Sequence, residues 1–235
     1  MKVDIWSDVM CPFCYIGKRK FEAALQQFPA KDKIEVEWHS FQLDPEMKAM
    51  PGKDIYSYLA ERKGQNLEWS KQVHQQVTAM AADAGLEYNF DKAVINNSFD
   101  AHRLMQFAKT HGLGDAVEES LFKAYFTEGK DIGDHQVLVD IAASIGLDRQ
   151  EAASMLENGG YENAVAADID TAAQIGINGV PFFVLDDKYA VSGAQPSETF
   201  LTALNRAWDE HSKTKIQLQD MNAVDGPVCG PDGNC

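Results

Sequence analysis

The chain has 235 residues, of which 45% are apolar, so it can bury a substantial core and disorder is excluded. Its 36 acidic and 21 basic residues give a net charge of −15, which argues against a partner such as nucleic acid or an anionic membrane surface. No stretch approaches the roughly 18 consecutive apolar residues that a membrane-spanning helix requires.

The N-terminal segment and the cysteine spacing indicate the compartment. A secretory signal begins with basic residues and an apolar run, whereas the first eight residues here include two carboxylates. The sequence therefore predicts a cytoplasmic protein, in a compartment where thiols are normally kept reduced. The four cysteines lie only near the ends, as Cys11 with Cys14 and Cys229 with Cys235, unlike the scattered cysteines of a disulfide-stapled domain.

The first elements predict a strand followed directly by a helix. Residues 2–7 alternate as a strand does, and apolar residues at steps of three and four over residues 12–28 predict a helix. Pro12 suits the first helical position, which places Cys11 at the helix N-cap and Cys14 one turn further on, facing inward. Free amide groups and the helix dipole should then favour the Cys11 thiolate, which is the nucleophilic form.

A second strand and a long helical segment follow. Residues 34–41 predict a strand parallel to the first, because the two are joined through a helix. Residues 44–176 show helical periodicity with almost no strand pattern, and Asp134 and Asp148 are suited to cap two of the helices. We expect this segment to form an inserted helical subdomain that covers the active site.

The last predicted elements are two strands and a helix. Pro181 opens a buried strand over residues 182–186, where its missing amide proton is tolerated. A turn leads to a strand at 189–192, and a helix is predicted over 197–211. Residues 212–235 are turn-rich and predict a flexible tail that carries the second cysteine pair.

These motifs resemble a known family. A strand leading to Cys-Pro-Phe-Cys, with Gly-Val-Pro-Phe-Phe-Val far downstream, resembles the DsbA-like branch of the thioredoxin superfamily. The resemblance runs from about residue 2 to residue 211. Within this branch, the chain resembles the FrnE-type cytosolic members. The segments that carry it are Ser7–Gly17, Trp38–Pro45, Asn97–Arg103 and Ser192–Gln195.

The resemblance implies an α/β thioredoxin fold, with a central mixed four-stranded sheet flanked by helices and a large all-helical insertion. Residues 1–43 and 177–211 would form the discontinuous thioredoxin-like domain, 44–176 the inserted subdomain and 212–235 the tail. It also implies that Cys11 is the nucleophile, that Cys14 is the resolving thiol, and that the Val180–Pro181 peptide bond is cis.

The implied activity is that of a thiol–disulfide oxidoreductase or isomerase acting on protein or peptide disulfides, without a cofactor. A glutathione-dependent isomerase or transferase is an alternative, although the relatives of that type have serine at the position of Cys11. A chaperone-like binding module is a second alternative. A zinc site needs about four nitrogen or sulfur ligands, which Cys11 and Cys14 could supply only together with the distant tail pair.

Several other residues are candidates for contacts with the substrate. Phe13 starts the helix and should be partly exposed, whereas Trp6 and Trp38 lie in strand patterns and are expected in the core. His39 and His102 could each stabilise a thiolate or transfer a proton, or could be surface histidines. Asp8 would oppose a thiolate at Cys11 unless hydrogen bonds bury it. The predicted substrate-contacting residues are Pro12, Phe13, Val180, His102 and Arg103.

The cysteines of the tail leave three interpretations open. Cys229 and Cys235 could exchange with the first pair, could bind a metal or respond to oxidants independently, or could lie in an inert tail. We expect no resident metal at the first pair. Thiol chemistry there requires that the Cys11 sulfur be reachable and free of metal.

Overall fold

The computed structural model describes residues 1–213. The tail cysteines Cys229 and Cys235 lie outside the described residues, so their roles stay predictions. No helix in the described part of the chain is long and apolar enough to cross a membrane.

Four strands form one mixed sheet with the order β2-β1-β3-β4. Strand β1 pairs in parallel with β2 and antiparallel with β3, which in turn pairs antiparallel with β4. The central β1 is buried along nearly its whole length, including Asp4 and Ser7, whereas its alternating pattern predicts burial of only one face. The sheet of the predicted fold is therefore confirmed. The strands are β1 (Lys2–Ser7), β2 (Glu35–Ser40), β3 (Phe182–Leu185) and β4 (Tyr189–Ser192).

In the described part of the chain, helices surround the sheet, and several of them pack directly against its strands. Most follow the stripes seen in the sequence, whereas the segment that forms α2 shows no clear pattern. A π-helical turn, Lys123–Glu128, continues from α5. The α-helices are α1 (Pro12–Gln27), α2 (Ile55–Lys63), α3 (Leu67–Asp83), α4 (Phe99–Lys109), α5 (Gly114–Phe122), α6 (His135–Ser144), α7 (Arg149–Glu157), α8 (Glu162–Gln174) and α9 (Ser197–Lys213).

Side-chain caps define where two of these helices begin. The Asp134 carboxylate accepts hydrogen bonds from the amides of Gln136 and Val137 at the start of α6. Asp148 accepts from the second and third amides of α7 in the same way. These bonds satisfy amide groups that a helix leaves unpaired, so the predicted caps are confirmed.

The core joins the first and the last helix of the described residues. Helices α1 and α9 pack against one another, and the rings of Phe21, Phe183 and Phe200 are in mutual contact, with centroids 4.6 to 5.8 Å apart. Helices α5 and α8 of the inserted segment pack against β2. Trp6 and Trp38 are both buried, as expected. The insertion is thus held against the same sheet that positions the first cysteine pair.

Candidate active site

The first cysteine pair lies where β1 ends and α1 begins. Cys11 is the N-cap residue, with extended backbone angles of φ −86° and ψ 113°, and Pro12 opens the helix. The Cys14 amide donates to the Cys11 carbonyl at 3.0 Å, which closes the first turn between the two cysteines. Cys14 exposes 1% of its surface and faces inward. The sequence placed both residues at these positions.

The Cys11 side chain differs from the expectation in one respect. It makes no capping hydrogen bond to the helix, and its sulfur instead donates to the Val180 carbonyl at 3.6 Å. A protonated thiol is a donor, and the Val180 carbonyl faces it from the adjacent loop. The expected effect of the helix amides on the Cys11 thiolate stays a prediction, and the place of Cys11 at the positive end of α1 agrees with it.

The loop before β3 completes the wall beside Cys11. The Val180–Pro181 peptide bond is cis, as the resemblance implies. Gly17, one turn beyond Cys14, lies directly against this loop, because a Cβ built on it would come within 2.9 Å of the Pro181 Cγ. A glycine at this position therefore allows α1 to approach Pro181 closely.

A cleft of about 390 Å³ opens beside the cysteine pair. Cys11 exposes only 3% of its surface, and it is among the residues that line this cleft. Pro12 and Phe13 also line it, and Phe13 is 38% exposed. The opposite wall comes from the inserted segment and is mainly apolar. Among its residues are Met47, Ile55, Tyr58, Val73, Val77 and Phe126.

The two cysteines occupy different environments. Burial, and then the hydrogen bond and charge of the neighbouring Cys11 sulfur, raise the pKa of Cys14 well above its ordinary value. The Ser7 hydroxyl faces the Cys14 sulfur and acts in the opposite direction, favouring its thiolate. The environment of Cys14 therefore favours its thiol form, and the two sulfurs differ in both access and surroundings.

Asp8 is buried by hydrogen bonds rather than free beside Cys11. Its carboxylate accepts from the amides of Met10 and Leu43 at 3.2 and 2.8 Å, and it lines the cleft. His102 Nε2 lies 3.4 Å from one Asp8 oxygen. His102 is 1% exposed, so the surface interpretation was wrong, and it does not line the cleft. The predicted contact of His102 with the substrate is therefore corrected, because Asp8 lies between His102 and the cleft.

Arg103 and His39 act as structural groups. The Arg103 guanidinium donates to the carbonyls of Met155, Leu156 and Gly160 near the end of α7, so its predicted contact with the substrate is also corrected. His39 is partly buried, with 12% of its side chain exposed. Its ring nitrogens bond to Asp4 and Asp168 at 2.6 and 2.8 Å, away from the cysteine pair.

One group of potential metal ligands is present in residues 1–213, and it excludes the cysteines. Ligand atoms of Asp4, Glu37 and His39 lie within 4.8 Å of one another. The Lys2 ammonium already pairs with both carboxylates at 2.8 and 2.7 Å, and His39 is bonded as described above. This group is therefore an ion-pair network at the edge of the sheet.

Sequence reasoning missed two polar contacts behind the cysteine pair. Glu118 on α5 is 1% exposed, and its Oε1 accepts from the Ser7 hydroxyl at 2.7 Å. Burial raises the pKa of Glu118 to about 7, although the Ser7 hydrogen bond opposes this change. The Tyr88 hydroxyl donates to the Pro12 carbonyl at 2.7 Å and ties the insertion to the start of α1. Both contacts join residues far apart in sequence, and no local pattern marks them.

Comparison with known proteins agrees with this geometry. The model of the DSBA-like thioredoxin domain family matches residues 2–205. The Bacillus subtilis protein YwbO is 31% identical over 215 residues, which cover 90% of this chain and 98% of YwbO. The structure of a probable DsbA oxidoreductase, SCO1869 from Streptomyces coelicolor, is 37% identical, with a TM-score of 0.84 over 99% of this chain and 97% of that one.

A more distant likeness supports the fold alone. The cytosolic disulfide reductase DsbM from Pseudomonas aeruginosa, solved with GSH, has a TM-score of 0.59 and 15% identity, covering 92% of this chain and all of its own. The family match spans most of the chain and includes both cysteines and Pro181. The chain belongs to the DSBA-like thioredoxin domain family.

Proposed function

We propose that this protein is a thiol–disulfide oxidoreductase that acts on protein or peptide disulfides through Cys11 and Cys14. The observation that carries the proposal is the asymmetry of the pair. Cys11 lines an open cleft at the positive end of a helix, whereas Cys14 is buried one turn behind it. One sulfur can thus meet a substrate while the other can meet only the first sulfur.

In the reducing direction, the Cys11 thiolate attacks one sulfur of the substrate disulfide and breaks that bond. The second substrate sulfur leaves as a thiolate and takes a proton, and a mixed disulfide remains on Cys11. Cys14 then loses its proton and attacks the Cys11 sulfur. The enzyme disulfide forms, the substrate leaves as a dithiol, and two electrons have passed to it. The reverse sequence oxidises a substrate dithiol.

The cleft favours a polypeptide substrate. Its apolar wall comes from the inserted segment, while Phe13 and Leu43 are exposed at its lining. Apolar side chains that flank a cysteine in an unfolded segment can therefore be buried as the Cys11 sulfur meets the disulfide. We further infer action in the cytoplasm, as for the cytosolic disulfide reductase DsbM.

The proposal is tested with a peptide that carries one intramolecular disulfide, with dithiothreitol as the dithiol that regenerates the enzyme. We expect wild-type turnover, with turnover lost in Cys11→Ser and in Cys14→Ser. Turnover that needs glutathione and survives Cys14→Ser would instead support the glutathione-dependent alternative, for which the GSH found with DsbM is the specific observation. Binding of unfolded chains that survives loss of both thiols, without turnover, would support a chaperone-like module.

A further inference from the structure

The inserted segment contributes a tyrosine hydroxyl group to the cleft that has no hydrogen-bond partner in the protein. Tyr125 lies in the π-helical turn that continues from α5, it is 2% exposed, and it lines the cleft. Within residues 1–213, its hydroxyl group makes no hydrogen bond to another protein group. Such turns are frequent at functional sites, and buried polar groups are nearly always hydrogen-bonded. This hydroxyl group can therefore bind a molecule that enters the cleft.

The surroundings of Tyr125 keep its hydroxyl group protonated. Burial, and then the charges of Asp8 and Tyr58, raise the pKa of Tyr125 well above its ordinary value. The Asp8 carboxylate, which lines the same cleft, already accepts hydrogen bonds from the amides of Met10 and Leu43. Tyr125 thus presents a hydrogen-bond donor to the cleft.

His74 on α3 presents an acceptor to the same cleft. It is 7% exposed, and its Nδ1 lies 2.8 Å from the Ser70 carbonyl oxygen, which can only accept, so Nδ1 carries the proton. Burial lowers the pKa of His74 below 6.5 despite this bond, so the ring is neutral at neutral pH. In the part of the chain that the structure describes, Nε2 has no hydrogen-bond partner, and in this tautomer it is an acceptor.

A donor and an acceptor in a mainly apolar cleft favour a substrate that carries both kinds of group. An apolar group bound there would leave the Tyr125 hydroxyl and the His74 nitrogen unpaired, which costs free energy. Carboxylates only accept hydrogen bonds, and ammonium and guanidinium groups only donate them, whereas an amide has a carbonyl acceptor and an N–H donor. A polypeptide offers such a group at almost every residue.

We propose that Tyr125 and His74 bind amide groups of the substrate, with Tyr125 donating to a carbonyl oxygen and His74 Nε2 accepting from an N–H group. The amides belong either to the substrate backbone or to asparagine and glutamine side chains. This inference rests on the proposed function and makes two residues of the inserted segment determinants of its specificity. Neither residue takes part in the exchange of disulfides, so the reaction of Cys11 with a disulfide that lacks amides should not depend on them.

Turnover of three disulfides that differ in their amide groups tests the inference, with dithiothreitol regenerating the full-length protein. The first is a peptide with one intramolecular disulfide and otherwise only alanine, and the second has asparagine and glutamine beside the cysteines. The third, bis(2-hydroxyethyl) disulfide, has no amide. In Tyr125→Phe, kcat/KM should fall about tenfold for the peptides and stay within about twofold for the third disulfide. A fall for the alanine peptide identifies the backbone as the source of the amide, and a fall for the second peptide alone identifies the side chains.

Two further variants complete this experiment. His74→Phe should reproduce the pattern of Tyr125→Phe. Tyr56→Phe is the matched control, because its hydroxyl group donates to Asp91 and it is not among the residues that line the cleft. It should leave all three rates unchanged. Peptide rates that stay unchanged in Tyr125→Phe or His74→Phe, or that fall no more than the rate for bis(2-hydroxyethyl) disulfide, would overturn the inference.

Calorimetric titration with a serine analogue of the affected peptide separates this inference from the proposed function. This analogue cannot exchange disulfides, so its binding does not depend on the chemistry of Cys11. Its dissociation constant should rise about tenfold in Tyr125→Phe. An equal constant, or no binding to the wild type, would overturn the inference and leave the proposed function standing.

Absence of wild-type turnover with all three disulfides would instead contradict the proposed function, and the titration, run with both analogues, would still decide the inference. Circular dichroism establishes that each variant is folded. Should Tyr125→Phe fail to fold, the same two measurements on His74→Phe decide the outcome.

Discussion

Replacing Glu118 with glutamine should shift the free energy of unfolding, relative to the wild type, in favour of the variant as pH rises. The pKa of this carboxyl group is about 7 in the folded protein, against an ordinary value of 4.5, because the group is buried. Between these values the folded chain holds the proton while the unfolded chain has released it. The free energy of unfolding of the wild type therefore falls as pH rises through this range.

The size of the effect follows from the two pKa values. A tenfold change in a proton-binding constant corresponds to about 1.4 kcal/mol, and linkage between about pH 5 and about pH 8 gives a loss of about 2.5 kcal/mol in the wild type. Glutamine carries no titratable proton, so Glu118→Gln should not show this loss. The difference in unfolding free energy between variant and wild type should thus change by about 2.5 kcal/mol across this range.

Urea unfolding of the reduced proteins at several pH values measures this difference. Glu119→Gln serves as the control, since the pKa of Glu119 is lowered to about 2 despite its burial, chiefly by its hydrogen bonds to Arg19 and Tyr15. Its carboxylate is ionised in both states throughout the range, so that difference should not vary with pH. A constant difference for Glu118→Gln as well would refute the assignment of a raised pKa to the buried carboxyl group.

Three other substitutions test the site and its supports. Burial would lower the pKa of His39, but the bonds to Asp168 and Asp4 raise it above 6.5. The protonated ring therefore stabilises the folded protein fully below about pH 6.5, and this stabilisation is lost as pH rises through the pKa of the folded state. His39→Gln should therefore cost most stability at acidic pH in urea unfolding, and a cost that grows with pH would contradict this. Gly17→Ala should displace the loop of Pro181 and lower peptide-disulfide turnover while circular dichroism stays native. Full activity would show that the contact is not needed. Tyr88→Phe should lower the free energy of unfolding by about 1 kcal/mol, as measured in urea, because the partly buried Pro12 carbonyl loses its donor.

The sequence predicted the features that local patterns determine. The step from β1 into α1 follows from an alternating strand, a proline at the first helical position and a three-and-four periodicity, so Cys11 and Cys14 were placed correctly. The helix caps Asp134 and Asp148 could also be predicted, because a capping hydrogen bond joins residues that are close in sequence. The four strands were predicted from their patterns, and the family resemblance implied the same mixed sheet.

The polar interior could not be predicted in the same way. A glutamate on an amphipathic helix is usually a surface residue. Glu118 is buried instead, because β1 lies beside it and Ser7 donates to its carboxylate. Arg103 and His102 were expected at the cleft because of the family resemblance, yet the fold turns them inward onto carbonyls and onto Asp8. Such pairings join distant parts of the chain and are set by tertiary packing.

The trapping of a mixed disulfide tests the central claim most directly. Full-length Cys14→Ser is mixed with an excess of a disulfide-containing peptide, and the adduct is mapped by mass spectrometry after digestion. We expect one peptide bound at Cys11, with no such adduct in the protein that lacks both Cys11 and Cys14. The absence of an adduct at Cys11, or its location at Cys229 or Cys235 alone, would contradict the assignment of Cys11 as the attacking sulfur.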